Sequence, residues 1–471
     1  MVIGAGPAGL AAAWAIGQAG LDPLVVEQAD AVAASWRSRH DQLRLNTHRV
    51  FSHQPGARIP RRYGPFPARD DYVAYLERYA AGMRIRFGTA AGRIDRAGPG
   101  WKLSLGGGSI STAHVVVATG PDAEPVMPAW PGMAGFPGTL IHAGQFRSTG
   151  EMAGRDVLVV GPGNSGVDLL NHLVRSDAAR LWLSARSGMN IAPLRLAGIP
   201  MHPVAVAGRR LPRRAQDSSL RAVQRLAFGD LSRYGYPRSD LGAFTRLRAD
   251  GVTVAVDDGF VRALKSGRVT MKPGVARVEG RNVCFADGSA CAPDVVICAT
   301  GYRPALWPLV GHLVALDESG MPPFTGPSSS PLHPGLWFFG LDSSIYGNMH
   351  IHRRQARQLA GLIARPARTL PWLRAHAGMP DGVGSVGSCR HRLRWTRSAR
   401  SSSVMMFEVT GTTVMTPRPR RVAVALAASL LTTTAGRVLA ASDPSLATRC
   451  GYGSDVPAAS ACAISGPYIS A

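Results

Sequence analysis

The sequence is poor in lysine, although it is strongly basic. Of 53 basic residues, only Lys102, Lys265 and Lys272 are lysines, and the arginines are spread along all 471 residues. The formal net charge of +23 is therefore not concentrated in one basic segment. No nucleic-acid-binding motif accompanies it, so a nucleic-acid partner is not predicted.

Closely spaced cysteine pairs are also missing. The six cysteines are Cys284, Cys291, Cys298, Cys389, Cys450 and Cys462. None forms a C-x-x-C pair, which argues against a dithiol–disulfide reductase. No histidine or cysteine spacing is typical of a metal site, so no metal is predicted.

Long apolar runs are absent as well. No run approaches the roughly 20 residues that span a bilayer, so no integral membrane segment is predicted. Residues 415–441 have a basic start, a short apolar run and a small-residue end, as a secretory signal does. They lie far from the N-terminus, where such a signal would act.

The chain begins almost inside a glycine fingerprint. Residues 1–3 form a short apolar run before the first loop, which consists of Gly4, Gly6, Pro7, Ala8 and Gly9 around Ala5. An alanine-rich helix is predicted next, and Glu27 follows about 20 residues later, where a carboxylate binds the ribose hydroxyls of an adenine dinucleotide. Only three residues precede the turn, so we expect the true strand to begin upstream; if the short strand is real, cofactor retention should suffer.

A second fingerprint lies near the middle of the chain. The short, mainly apolar run at residues 156–160 leads directly into a loop that carries Gly161, Gly163, Asn164, Ser165 and Gly166. A strand followed by this glycine pattern and a helix is the context in which the pattern predicts dinucleotide binding. The next strand, residues 181–184, is followed by Arg186, which would accommodate the 2′-phosphate of NADP. A solvated surface arginine is the alternative.

Two further predicted strands are each followed by the same three residues, Ala-Thr-Gly. One strand is followed by Ala118, Thr119 and Gly120, and the other by Ala299, Thr300 and Gly301. The second fingerprint lies between them, which suggests that one dinucleotide-binding domain is inserted into another.

The segment before the second fingerprint carries the pattern F-x-G-x-x-x-H, with Phe136, Gly138 and His142, followed by the aromatic Phe146. Beside two nucleotide sites, this pattern resembles that of the flavin-containing monooxygenases. The resemblance runs from the first fingerprint to about residue 365. It is nearest to the plant YUCCA-type indole-3-pyruvate monooxygenases.

The resemblance implies FAD at the first fingerprint and NADPH at the second. The expected fold class is α/β, with two Rossmann-like domains and the NADPH domain inserted into the FAD domain. The expected FAD domain is residues 1–122 and 292–376, and the NADPH domain with substrate-entry insertions is residues 123–291. Residues 377–471 form a tail that is either disordered or outside the family.

The resemblance also implies site residues. Asn46 and Thr47 match an Asn-Thr pair that reaches the flavin and oxygen site, although Asn46 could instead form a turn. Trp36 and Arg37 are expected to bind the cofactor, with core packing as the alternative for Trp36. His142 is expected to link the two domains rather than to donate a proton.

The implied activity is an NADPH- and FAD-dependent monooxygenase in the cytoplasm. It would insert one oxygen atom from O2 into a small organic substrate through a flavin hydroperoxide. N- or S-oxidation and YUCCA-like oxidative decarboxylation of a 2-oxo acid both stay open, as does a homodimer. The alternatives are an uncoupled NADPH oxidase and a degraded, non-catalytic flavoprotein.

Overall fold

A computed structural model describes residues 1–365 of the chain. The predicted end of the FAD domain at residue 376, the signal-like residues 415–441 and the tail from residue 377 lie outside the described residues. Within residues 1–365, no helix has both the length and the apolarity needed to cross a membrane.

The first sheet has five parallel strands. In spatial order they are Leu336–Phe338, Val115–Val117, Val2–Ile3, Val25–Val26 and Ile85–Arg86. Side chains alternate between two cores: Val2, Val25 and Val116 pack on one face, and Ile3 and Val26 on the other. Burial on both faces explains why these strands are continuous apolar runs rather than alternating ones.

The second sheet repeats this arrangement. Its five parallel strands are Val269–Lys272, Leu181–Ser184, Val157–Val160, Val295–Cys298 and Thr139–His142. Val157, Val159 and Ile297 pack on one face, and Leu158 and Val296 on the other.

The pairing of Val295–Cys298 bears on the predicted boundary at residue 292. This strand lies between Val157–Val160 and Thr139–His142, so a return to the first domain at residue 292 would cut through the second sheet. Two linkers, Glu124–Pro125 and Tyr302–Arg303, pair antiparallel beyond it. We therefore propose that the inserted domain ends between the strand and the second linker.

The helices lie mainly on the faces of the two sheets. Their bounds are Pro7–Gln18, Ala34–Arg37, Arg49–Ser52, Arg69–Ala80, Asn164–Leu173, Met201–Ala207, Arg213–Phe228, Ala243–Asp250, Phe260–Lys265, Trp307–Val310 and Asn348–Ile363. Short 3-10 helices are Arg61–Tyr63, Met133–Gly135, Ala143–Gln145, Thr149–Met152, Gly208–Arg210 and Leu231–Tyr234.

Small sheets complete the structure. Two are three-stranded and antiparallel, formed by Ala91–Ala97, Gly100–Leu105 and Gly108–Thr112, and by Val275–Glu279, Asn282–Phe285 and Ala290–Cys291. Two are strand pairs, formed by Ile191–Pro193 with Ala255–Asp257, and by Arg195–Leu196 with Ile199–Pro200.

Candidate functional site

The two glycine loops have the same geometry. Gly4 and Gly161 both have left-handed backbones, with φ of +101° and +110°. A Cβ on Gly9 would lie 1.9 Å from Gly4 O, and one on Gly166 would lie 2.0 Å from Gly161 O. Only glycine fits at these positions, so each helix can pack closely against its strand.

Each loop also leaves room for a ligand. A Cβ on Gly6 would meet no atom within 4 Å, and one on Gly163 would meet only Met189 Cε at 3.7 Å. The helices Pro7–Gln18 and Asn164–Leu173 begin at these loops, with extended backbones at Gly6 and Gly163. Their first N–H groups lack intrahelical partners, and this arrangement fits a pyrophosphate group.

The two Ala-Thr-Gly turns pack against the glycine loops. Ala118 O lies 2.7 Å from the position of a Cβ on Gly4, and Ala299 O lies 2.5 Å from that of a Cβ on Gly161. The turn at Ala299 therefore belongs to the second glycine loop. Thr119 Oγ1 is buried without a hydrogen-bond partner in the described residues, whereas Thr300 Oγ1 donates to Val126 O in the linker.

The carboxylate of Glu27 lies at the first glycine loop. It is buried and accepts hydrogen bonds from Ala5 N at 2.6 Å and Ala29 N at 3.0 Å. These bonds fix the carboxylate beside the loop, where a ribose would lie.

Trp36 and Arg37 lie close to this loop in the chain but have other contacts. Trp36 packs edge-on against Tyr72 with ring centroids 4.7 Å apart. Arg37 Nε donates to Val32 O at 3.0 Å, and its guanidinium pairs with Glu77. In residues 1–365, neither side chain forms a hydrogen bond with the glycine loop.

Asn46 contacts the second glycine loop. Its Nδ2 donates to Asn164 Oδ1 at 3.3 Å, so the Asn-Thr segment of the first domain meets the second glycine loop. Thr47 Oγ1 lies 2.7 Å from Ser52 Oγ, and Thr47 Cγ2 lies 3.2 Å from the position of a Cβ on Gly347. Asn46 and Thr47 are thus between the second loop and the start of the helix Asn348–Ile363.

Arg186 is exposed just beyond the carboxyl end of the strand Leu181–Ser184. Its stem packs over Gly274, where a Cβ would lie 2.6 Å from Arg186 Cγ. Arg186 forms no salt bridge in residues 1–365, which leaves its guanidinium available for an anionic ligand.

His142 lies where the inserted domain meets the linkers. Its Nδ1 accepts from Gly144 N at 3.1 Å, so its Nε2 carries the proton and donates to Gly301 O at 3.0 Å. Burial lowers its pKa, and the neutral ring packs against Tyr302 at 4.6 Å. The role of His142 in linking the two domains stays a prediction.

A buried histidine contact between the domains was missed by the sequence reasoning. The sequence offers no partner for His40. In the structure, His40 is buried and its Nε2 lies 3.0 Å from Asp168 Oδ2 on the helix Asn164–Leu173. The His172 ring stacks edge-on against His40 at 5.3 Å. The two partners are 128 residues apart, so no local pattern pointed to this contact.

A cavity of about 430 Å³ opens between the helices Arg213–Phe228 and Ala243–Asp250. It is lined by Leu211, Arg213, Gln216, Phe244, Leu247, Arg248 and Ser343. Gln216 Oε1 accepts from Tyr346 Oη at 2.9 Å, and Tyr346 immediately precedes Gly347. Among residues 1–365, no cluster of three or more His, Cys, Asp or Glu side chains could hold a metal ion.

Comparison with known proteins identifies the family. A profile described as flavin-binding monooxygenase-like matches residues 109–319, and one described as pyridine nucleotide-disulphide oxidoreductase matches residues 1–192. The chain is 34% identical over 350 residues to the indole-3-pyruvate monooxygenase YUCCA1 of Oryza sativa subsp. japonica. That match covers 72% of this chain and 86% of the relative. The chain belongs to the flavin-binding monooxygenase-like family.

Solved structures show the same fold. The flavin-containing monooxygenase from Stenotrophomonas maltophilia has a TM-score of 0.57 at 22% identity, covering 77% of this chain and 96% of that one. The bacillithiol disulfide reductase from Bacillus cereus has a TM-score of 0.56 at 19% identity, covering 77% and 97%. The predicted α/β class with two dinucleotide-binding domains is confirmed.

Family membership also confirms the predicted enzyme class and cofactors. The flavin-binding monooxygenase-like enzyme is a flavin-dependent oxidoreductase that uses FAD and NADPH. The two matching glycine loops fit two such dinucleotides.

Proposed function

We propose that the enzyme oxidatively decarboxylates a small 2-oxo acid. One oxygen atom of O2 enters the product acid and the other leaves as water, while the carboxyl group leaves as CO2 and NADPH supplies two electrons. The similarity to the indole-3-pyruvate monooxygenases supports this substrate class. The observation that carries the proposal is the Asn46–Asn164 hydrogen bond, because it brings the Asn-Thr segment to the second cofactor loop.

FAD is proposed to bind the first glycine loop. Gly4, Gly6, Pro7, Ala8 and Gly9 would face its pyrophosphate and Glu27 its ribose. Ala118, Thr119 and Gly120 would close the loop from the next strand, with Thr119 Oγ1 available to a ligand. We retain Trp36 and Arg37 as proposed cofactor-binding residues. Their contacts with Tyr72 and Glu77 do not support that role.

NADPH is proposed to bind the second loop through Gly161, Gly163, Asn164, Ser165 and Gly166, with Ala299, Thr300 and Gly301 beneath. Arg186 would bind the 2′-phosphate. A charge-assisted hydrogen bond of about 1.5–3 kcal/mol corresponds to roughly ten- to hundredfold in affinity, enough to prefer NADPH over NADH.

Asn46 and Thr47 are proposed to position the reacting groups. When bound, FAD supplies electron transfer and oxygen activation, and the chain supplies orientation and the exclusion of water. The Asn46 amide can donate a hydrogen bond without adding acid–base chemistry. The cavity beside Tyr346 would admit the substrate, since it combines the apolar Leu211, Phe244 and Leu247 with the cationic Arg213 and Arg248.

The test uses the full chain loaded with FAD, NADPH and labelled O2, with phenylpyruvate as the 2-oxo acid. We expect one labelled oxygen per arylacetic acid, nearly one product per NADPH, and slower turnover with NADH. Asn46→Ala should lower the product formed per NADPH about five- to tenfold, the equivalent of one hydrogen bond of about 1 kcal/mol. Asn282→Ala, an exposed change on a small sheet, is the matched control.

Other outcomes would identify the alternatives. NADPH consumption that yields only hydrogen peroxide would indicate an uncoupled oxidase, and conversion of a thioether but not of phenylpyruvate would indicate S-oxidation. Disulfide reduction through Cys291 or Cys298 is disfavoured because burial raises the pKa of Cys291 to about 11 and that of Cys298 to about 12. Such thiols are almost entirely protonated at neutral pH, whereas the thiolate is the nucleophile.

A further inference from the structure

One face of the helix Asn348–Ile363 is a stripe of basic side chains. His350, Arg353, Arg354 and Arg357 follow the spacing i, i+3, i+4, i+7, which places them on one side of the helix. The opposite side is buried against the helix Pro7–Gln18, in a core that includes Ala356 and Leu359. Like charges at this spacing destabilise a helix by roughly 0.2–0.5 kcal/mol per pair, so the stripe does not serve helix stability.

A second element completes a cleft above this stripe. Arg209, on the 3-10 helix Gly208–Arg210, converges on the four helical residues, and the five side chains line a cleft of about 300 Å³. We call this the arginine cleft. Within residues 1–365, none of its four arginines forms a salt bridge with an aspartate or glutamate.

The inner arginine of the cleft is held in place. Arg353 Nη2 donates to His350 Nδ1 at 3.3 Å, and Arg353 Nη1 donates to His53 Nε2. His53 can accept there because its Nδ1–H donates to Gln54 O at 2.9 Å. Both histidines therefore act as neutral acceptors, and the guanidinium keeps other N–H groups for a ligand.

The cleft carries positive charge that its own residues do not balance. Burial lowers the pKa of Arg353, and repulsion from Arg357 lowers it further. Burial also lowers the pKa of His350, followed by repulsion from Arg353 and Arg209. The negative charge of an anion bound in the cleft would offset the repulsion between these cationic groups.

We propose that the arginine cleft is a binding site for a small oxyanion, a carboxylate or phosphate group. A planar guanidinium group binds a carboxylate or a phosphate through two parallel N–H···O hydrogen bonds. Several arginines that line one cavity can bind the same oxyanion together. The volume of about 300 Å³ leaves room for an oxyanion of several heavy atoms, such as phosphate.

The arginine cleft shares no lining residue with the proposed substrate cavity, but the two are neighbours, because Gln216 Nε2 of that cavity donates to Arg209 O at 3.1 Å. The ring of Phe51 packs against both sides, with its centroid 5.5 Å from that of His350 in the cleft and 5.5 Å from that of His202. His202 Nε2 in turn lies 3.2 Å from the position of a Cβ on Gly347, beside Thr47. Binding of an oxyanion does not require turnover, so the inference does not rest on the proposed function. The oxyanion is either a free anion or the carboxylate of an acidic substrate before it reaches the flavin.

The test measures binding of inorganic phosphate to the FAD-loaded full chain by calorimetry at constant ionic strength. The double variant Arg354→Gln, Arg357→Gln removes two exposed side chains, so folding should be unaffected, and retained flavin absorbance checks this. We expect its phosphate affinity to fall about tenfold or more, from the loss of charge-assisted hydrogen bonds. Arg210→Gln, adjacent to Arg209 but outside the cleft, should bind phosphate as the unchanged protein does.

Absence of phosphate binding, or an equal loss in Arg210→Gln, would overturn the proposal, the latter by showing a bulk charge effect. Binding does not require turnover, so an inactive enzyme would count against the proposed function only. Two results support the proposal and distinguish the sources. A raised KM for the 2-oxo acid with unchanged kcat in the double variant indicates the substrate carboxylate. An unchanged KM, with the phosphate affinity reduced, indicates a free anion.

Discussion

At the scale of single residues, the third glycine of each loop allows the two cofactor sites to be disabled separately. Gly9→Ala would force a methyl group to within 1.9 Å of Gly4 O, and Gly166→Ala would do the same at 2.0 Å from Gly161 O. The backbone must shift at a cost of about 1–3 kcal/mol or more. We expect Gly9→Ala to lose FAD, and Gly166→Ala to keep FAD but to be reduced at least tenfold more slowly by NADPH. Flavin absorbance and anaerobic reduction rates measure both effects.

Gly17 provides the matched control for these variants. It lies inside the helix Pro7–Gln18, where a Cβ would meet no atom within 4 Å. Gly17→Ala should therefore retain FAD and gain up to about 1 kcal/mol from helix propensity. Full FAD content in Gly9→Ala would show that the first loop is not the flavin site.

The same residues show what could be predicted from the sequence. The strand, glycine turn and helix at each loop lie where the sequence predicts them, because the pattern is local and the turn has room for glycine alone. Their role in binding cofactors, like that of Glu27, stays a prediction. The contact of His40 with Asp168 could not be predicted, because it depends on how two domains meet. The guanidinium of Arg37 was expected at a cofactor, but Glu77, on a separate helix, is its partner.

At the scale of one element, the helix Asn348–Ile363 makes stability depend on pH. His352 faces its buried side, and neither ring nitrogen has a hydrogen-bond partner within residues 1–365. Burial lowers its pKa from 6.5 to about 4, so the ring stays neutral in the folded protein down to about pH 4. In the unfolded chain the ring takes up a proton below about pH 6.5. The stabilising contribution of the buried, neutral ring is complete above pH 6.5 and is lost as the pH falls to about 4. The difference is on the order of 3 kcal/mol.

We expect His352→Leu to flatten this dependence. Denaturant unfolding between pH 7 and pH 4 should show a smaller loss of unfolding free energy in the variant, by an amount on the order of 3 kcal/mol. Burial also lowers the pKa of His202 to about 4, so part of the slope should stay. Gln358→Leu, on the exposed face of the same helix, adds an equally apolar side chain without removing a titrating group, and should leave the slope unchanged. An equal slope in His352→Leu would contradict the assignment.

Elements also show why a domain boundary is difficult to predict from the sequence. The apolar run at residues 295–298 was predicted correctly as a buried strand, but a run of this kind does not indicate which sheet it joins. Its neighbours, Val157–Val160 and Thr139–His142, are more than a hundred residues away in the chain. The start of the helix Asn348–Ile363 is likewise difficult to predict from the sequence. No side chain caps the first turn of this helix, and a capping residue is the usual sign of a helix start in a sequence.

At the scale of the whole molecule, the chain enters and leaves the inserted domain at the same place. Val126 N donates to Gly301 O at 3.0 Å, and Pro125 pairs with Tyr302 in the antiparallel linkers. Each five-stranded sheet also has its own cores on both faces. Close termini and a separate core are the features that make an inserted domain removable.

We therefore predict that the inserted domain can be deleted without loss of the first. A variant that joins residue 125 to residue 302 through a few Gly-Ser residues should fold and keep FAD, because every strand of the first sheet is outside the deletion. It should not be reduced by NADPH, since it lacks residues 161–166 and Arg186. The loss of the His40–Asp168 contact should lower its stability, because a buried histidine then becomes exposed.

Flavin absorbance, anaerobic NADPH reduction and dithionite reduction measure these properties. The full chain with Gly166→Ala is the control for slow reduction with an intact interface. A deletion variant that folds but does not bind FAD would show that the inserted domain is needed to form the flavin site, and would contradict the proposed division of the chain.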